Sequence, residues 1–160
     1  PMATAAERQH MIAEILGLPA KLEESIRGLS GEQLDRPAGG EEWSVRQVVH
    51  HLADSHLNAF IRTKLILTEE KPILKPFDQE AWAELPDTTK LPMESSLQIL
   101  QGLHTRWSSL LESLAEEDWQ RRGVHLENGL MTLEQIVAVY SGHGENHLRQ
   151  LAKIKSGLGK

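Results

Sequence analysis

Apolar residues recur with a helical period over four long stretches, and short joints rich in proline and glycine separate them. The first predicted helix runs from about Thr4 to Gly28. It carries Met11, Ile12, Ile15, Leu22 and Ile26 on one side, with Pro19 expected to kink it. The joint "RPAGGEEW" stops the chain. The second helix opens at Ser44, where Ser44 and Gln47 stand at capping-box spacing, and continues to about Thr68. A proline-punctuated crossover, "EEKPILKPFDQEAWAELPDTTKLP", follows, with room for a short helix from Gln79 to Leu85. Its length suits a functional wall or lid as well as a linker. The third helix spans about Met93 to Leu114, with Leu97, Leu100, Trp107, Leu111 and Leu114 inward. The strand-like signal is confined to "VHLENGLMT", a small hairpin turning at Asn128-Gly129. Thr132 then caps a fourth helix running to about Lys155, with Gln135 at the capping-box position. Four amphipathic helices with one long crossover imply an all-α four-helix bundle, a fold in which metal sites are built from inward side chains on facing helices.

Composition narrows the possibilities. With 160 residues the chain has the size of one domain, taken here as residues 1–160, and 39% hydrophobic with 25% charged residues excludes disorder. No apolar run approaches the ~18 residues of a membrane span and the start lacks a signal-peptide pattern, so a cytoplasmic protein with no membrane partner is expected. The net charge of −6 and pI near 5.7 argue against a nucleic-acid partner, which would need clustered basic charge. There is no cysteine, so a transition metal would have to be held by His, Asp or Glu.

The candidate chemistry lies in "SGHGENHLRQ". His143 and His147 stand four residues apart, one helical turn, with Glu145 between them. In the zinc-protease helix the base glutamate directly follows the first histidine. Glu145 is two positions on, ~200° around the helix from His143, so it cannot serve as that base. Eight histidines in 160 residues give about 0.4 such pairs by chance, so spacing alone decides little. The helical wheel decides more. Ile136, Tyr140, Leu151 and Ile154 define the buried stripe, and both histidines fall inside it, where each ring needs hydrogen bonds or a metal. Gly142 and Gly144 each cost ~1 kcal/mol relative to alanine, offset by space beside His143 or by tight helix packing. A third ligand is available on the second helix. His56 lies mid-stripe with Val45, Val48, Leu52 and Thr63. His51 lies at the stripe's margin above a polar lane of Ser55, Asn58 and Arg62, and His50 faces away toward solvent. Periodicity leaves His51 and His56 even, with His104 on the third helix a weaker candidate.

The segments "EEWSVRQVVHHLADSH", "KPFDQEAWAEL", "LHTRWSSLLESL" and "MTLEQIVAVYSGHGENHLRQL" together resemble the DinB-like superfamily. They are most similar to its YfiT-type branch of candidate metal-dependent hydrolases, related to the bacillithiol S-transferases. The resemblance covers nearly the whole chain and keeps the order of motifs. It implies a DinB-type bundle with up-down-down-up connectivity, and a homodimer. It also implies the metal ligands: the histidine directly before Leu-Ala, here His51, and the H-x-x-x-H of the last helix, here His143 and His147. Gln150 matches a glutamine common three residues after the last ligand. Relatives often carry further histidines where this chain has Glu145 and Asn146.

Three neutral imidazoles suit Zn²⁺ or Ni²⁺, with Fe²⁺ third, and leave coordination positions open, as in a catalytic site. The expected function is a divalent-metal-dependent enzyme that activates water or a small thiol against a small-molecule substrate, as a hydrolase or thiol S-transferase. Asp54 and Tyr140 are candidate catalytic residues, and Asn58 and Arg62 candidate binders of an anionic cosubstrate. The alternatives are a non-catalytic metal-binding helical module for dimerisation or binding, and a metal sensor.

Overall fold

The computed structural model describes residues 2–37 and 43–158; most of the joint "RPAGGEEW" lies outside them. Among the described residues, seven helices and three strands follow in the order α1 (Ala5–Ile26), α2 (Gly31–Asp35), α3 (Val45–Thr68), β1 (Ile73–Leu74), α4 (Gln79–Ala83), α5 (Pro86–Lys90), α6 (Glu94–Glu112), β2 (Arg122–His125), β3 (Gly129–Thr132) and α7 (Leu133–Leu158), with a 3-10 turn at Glu116–Gln120 before β2. The capping boxes form as the sequence requires. The Ser44 hydroxyl accepts from the Gln47 amide while the Gln47 side chain accepts from the Ser44 amide, and Thr132 and Gln135 repeat the exchange at the start of α7. Equivalent boxes at Thr4–Glu7 and Ser30–Gln33 open α1 and α2.

The long helices α1, α3, α6 and α7 form the bundle. α1 and α3 each pack on both α6 and α7, so the first two long helices sit diagonally instead of side by side. Side-chain contacts give the directions. Arg8 meets Glu134 and Lys21 meets Glu145, so α1 and α7 are parallel. His50 meets Ser96 and Thr63 meets Trp107, so α3 and α6 are parallel. Arg8 meets Glu116 and His104 meets Ile15, so α1 and α6 run opposite ways. The result is up-down-down-up, with the crossover carrying the chain from α3 to α6.

Two details differ from the sequence reading. The short crossover helix ends at Ala83 and a second one, α5, begins at Pro86, where proline suits the first helical position and cannot continue the preceding turn. The strands also extend beyond the hairpin: Ile73 and Leu74 of the crossover pair in parallel with Val124 and His125, completing a three-stranded sheet. Gly123 allows this approach, because a Cβ there would lie 2.7 Å from the Leu74 side chain. The hairpin closes at His125 and Gly129, and Gly129 takes the left-handed φ of +76° that a three-residue loop needs.

The interior holds two apolar clusters. Ile12, Trp107, Trp119, Leu133 and Val137 fill the sheet end, while Leu22, Val48, Leu52, Leu151 and Ile154 fill the other, joined by Trp43. Buried histidines His51, His56 and His104 complete the interior. Among the described residues no helix is long and apolar enough to cross a membrane.

Candidate metal centre

α3 and α7 face each other antiparallel, which brings His51 near the start of one helix against His143 and His147 around the middle of the other. One ring nitrogen from each of the three histidines lies within 4.8 Å of the others. The rings meet edge to face, with centroids 5.5 Å (His51–His143), 4.9 Å (His51–His147) and 4.4 Å (His143–His147) apart. Burial pushes His51 down to about 4, with His147 adding to the effect. Burial, then His147 and His51, pushes His143 down to about 3, and burial lowers His147 as well. All three are therefore neutral at neutral pH.

A chain of hydrogen bonds fixes which nitrogen of each ring carries its proton. It begins at Pro19, which has no N–H and so leaves the Ile15 carbonyl of α1 without its helical donor. His104 Nδ1 lies 2.5 Å from that carbonyl oxygen, and because the oxygen can only accept, Nδ1 is the protonated nitrogen. His104 Nε2 then accepts from His56 Nδ1 at 2.8 Å, and His56 Nε2 accepts from His143 Nδ1 at 3.1 Å. On the other side, the Gln150 side-chain oxygen accepts from His147 Nδ1 at 2.7 Å. Both chains end the same way, with the Nε2 lone pairs of His143 and His147 facing each other at 3.0 Å and no proton to share. Two lone pairs at that distance repel unless a cation lies between them. Ligands at ~2.0–2.1 Å from one ion stand about 3.0–3.4 Å apart, so the donor set fits a transition metal.

The other sequence candidates are sorted by this geometry. His56 and His104 are not in the cluster; they form the chain that holds His143, their rings stacked 4.8 Å apart. His50, expected at the surface, is 5% exposed: its ring bonds Ser96 Oγ at 2.6 Å and the Leu91 carbonyl at 2.9 Å, which ties α3 to α6 and the end of the crossover. Asp54 makes no hydrogen bond to a cluster ring; half-buried and beside Asp87, its carboxyl is pushed up to about 6, mainly by burial. Asn58 donates to the Asp54 carbonyl within its own helix. Tyr140 packs edge-on against His143 at 5.6 Å, and its oxygen accepts from Arg62 Nη1 at 3.0 Å. Glu145 pairs with Lys21, away from the cluster. Gly142 has open space where a Cβ would be, whereas at Gly144 a Cβ would sit 2.9 Å from Leu18, so Gly144 serves the α1–α7 contact and not His143. Trp43, whose ring lies 4.8 Å from His51, was not anticipated; it precedes the predicted cap, where helical periodicity says nothing. A cleft of 680 Å³ between the starts of α1 and α7 lies away from the cluster and is lined by Met2, Ala6, Met11 and Ala138 among others.

Comparison with known proteins gives the family of the chain. The DinB superfamily model matches residues 15–151. A protein of Oceanobacillus iheyensis is 45% identical over 143 residues, 89% of this chain and 83% of the relative. One from Geobacillus kaustophilus is 46% identical over 157 residues, 97% and 88% of the two chains. Both bear the name "Putative metal-dependent hydrolase". The structure of YfiT from Bacillus subtilis, titled a probable metal-dependent hydrolase with an unusual four-helix bundle topology, superposes with a TM-score of 0.94 at 37% identity, covering 98% of this chain and 90% of its own. The chain belongs to the DinB superfamily, and its histidine cluster is of a kind that fits a metal.

Proposed function

We propose that the chain is a divalent-metal-dependent enzyme in which His51, His143 and His147 hold Zn²⁺ or Ni²⁺, with Fe²⁺ the third candidate, and present water or a low-molecular-weight thiol to a small-molecule electrophile. The observation that carries the proposal is the 3.0 Å approach of two Nε2 lone pairs whose tautomers are fixed from behind, with His51 beside them. A cation held by three neutral imidazoles keeps coordination positions open and lowers the pKa of water or thiol placed there.

The chain's own residues do the rest. The His104–His56 chain holds the Nδ1 proton of His143, and Gln150 holds that of His147, so both rings present lone pairs without rearrangement. Trp43 packs against His51 and Tyr140 against His143, giving the cluster aromatic walls that limit water. The Tyr140 oxygen already accepts from Arg62, which leaves its own proton to donate toward negative charge developing on a substrate. Asp54 stands outside this set. The names of the relatives favour water as the nucleophile; the missing cysteine is compatible with a thiol brought in as cosubstrate.

Metal analysis of protein purified without a nickel column tests the site: stoichiometric metal is expected in the wild type and a large deficit in His51→Ala. A His51→Ala variant that keeps stoichiometric metal rejects the triad. Metal-loaded protein is then assayed on hydrolase substrates and on thiol-plus-electrophile pairs. Inertness toward both leaves the non-catalytic binding module as the function.

A further inference from the structure

Two arginines of this chain are buried, and they are treated differently. Arg8, 4% exposed, lies between two carboxylates, 2.6 Å from Glu116 and 2.7 Å from Glu134. Arg62, 8% exposed, has none: among the described residues its guanidinium meets only the Tyr140 oxygen at 3.0 Å and the Lys75 carbonyl at 2.7 Å, both neutral acceptors. A guanidinium cannot shed its proton, and a buried charge without a counter-charge is destabilising. Scarcity of acid does not explain the difference, since the chain has 23 acidic residues against 17 basic ones.

The surroundings add further donors beside the guanidinium, while the carboxylates of Asp78 and Glu127 line the neighbouring cleft and make no hydrogen bond to Arg62 among the described residues. Tyr140 spends its oxygen's acceptor capacity on Arg62 and has no acceptor for its own proton among the described residues. His125 on β2 uses Nδ1 to accept from the Glu127 and Asn128 amides at 3.2 Å each, so its Nε2 carries the proton. It stands near enough to Arg62 for that charge to help burial lower its pKa. Tyr140 is in ring contact with His143, one helical turn along α7. The 550 Å³ cleft walled by Pro76, Phe77, Asp78, Gln79 and Glu127 begins next to Lys75, whose carbonyl Arg62 holds.

We propose that Arg62 and Tyr140 form a carboxylate-binding subsite beside the histidine cluster, occupied by the carboxylate of a small reactant whose reacting atom lies a few bonds away at the cluster. The planar fork of a guanidinium matches a carboxylate, and a phenol proton adds a third donor. The subsite rests on the metal-enzyme reading only for what its neighbour does; the unbalanced buried charge stands by itself.

Calorimetric titration of chelator-treated protein with succinate, against its neutral isostere succinamide, tests the subsite without metal. Succinate is expected to bind and succinamide not to. Tyr140→Phe, which keeps the guanidinium and its bond to Lys75, should weaken succinate at least about tenfold, the equivalent of one charge-assisted hydrogen bond. Arg62→Gln should abolish binding while the circular dichroism spectrum is retained. Succinate binding no better than succinamide, or equally well to both variants, overturns the proposal, and leaves Arg62 as a tether between α3 and the crossover. A second titration, of cobalt-loaded protein with 3-mercaptopropionate and 3-mercaptopropanol, is read by the thiolate-to-cobalt absorption. A preference for the acid that vanishes in Arg62→Gln assigns the carboxylate to the nucleophile. No preference, with succinate still bound, assigns it to the other reactant. If neither thiol produces the absorption while succinate binds, the thiol form of the proposed function fails and the subsite stands.

Discussion

Replacing His56 with leucine separates metal-site positioning from simple packing, because leucine fills much of the same space and removes both ring nitrogens. Two groups then lose their partners inside the protein: the His104 Nε2 lone pair, 2.8 Å away in the native chain, and the His143 Nδ1 proton, 3.1 Å away. An orphaned buried polar group costs about 1–3 kcal/mol, so metal-free His56→Leu should unfold at lower urea concentration by the equivalent of about 2–6 kcal/mol. The loss of metal affinity has a separate cause. Without His56 to accept from Nδ1, the His143 proton is free to move to Nε2, the nitrogen that faces His147, and the ring then offers no donor there. Loss of a partner that orients a ligand ring weakens metal about 10–100-fold. Competition with a chromogenic zinc chelator measures this directly. In the double variant His56→Leu/His104→Leu the two groups that each single variant orphans on the other ring, the His104 Nε2 lone pair and the His56 Nδ1 proton, disappear together, so the two single losses of stability should exceed the double loss by about 2–6 kcal/mol. A folded His56→Leu protein that binds zinc within about twofold of wild type would refute the tautomer chain as a device for holding His143.

The two glycines beside His143 should respond in opposite senses to alanine. Gly142→Ala meets open space and should raise the thermal midpoint, by up to about 1 kcal/mol of helix propensity, whereas Gly144→Ala drives a methyl to 2.9 Å from the Leu18 side chain and should lower it by about 1 kcal/mol net. In metal-free protein, burial holds His104 down to about 4 from its ordinary 6.5, so its contribution to stability is full above pH 6.5 and is lost as pH falls through about 4, by up to about 3 kcal/mol, visible as a falling urea midpoint. Asp54 works the other way: its carboxyl is raised from 3.8 to about 6, so its contribution is present below 3.8 and lost as pH rises through 6, and Asp54→Asn should steepen the acid-side fall. Arg8→Met leaves Glu134 buried without its cation and should cost about 3 kcal/mol in urea unfolding; an unchanged midpoint would show that the Arg8 network contributes nothing net.

The parts of this molecule that were legible in the sequence are those governed by local rules. Each cap at Ser44 and Thr132 is a side chain bonding a backbone three residues on, and such bonds form whatever the rest of the chain does. The 3.6-residue period likewise placed His143, His147 and His56 inward. His50 failed because a wheel ranks faces by average hydropathy, while its ring is buried by two specific partners, Ser96 and Leu91, forty or more residues away. The β1 strand failed for a related reason: two residues carry no period, and Ile73–Leu74 is a strand only because Gly123 lets the hairpin come close. The choice between His51 and His56 was out of reach of periodicity altogether, since both rings are buried and what separates them is which neighbour each ring finds.

That neighbour can be traced to one residue whose signal was present in the sequence but whose consequence was not. A proline in mid-helix reads as a kink, and Pro19 does lie inside α1, which is helical from Ala5 to Ile26. What the proline changes is an inventory of donors: the carbonyl four residues back, Ile15, is left needing a hydrogen. His104 supplies it across the bundle, and because a neutral imidazole that donates at one nitrogen must accept at the other, the requirement passes to His56 and then to His143. A backbone vacancy on α1 thus fixes the direction of a lone pair on α7, by way of α6 and α3. His56 cannot be both a link in that chain and a ligand, because its two nitrogens are already committed, and this is the physical reason that His51 takes the third place in the cluster.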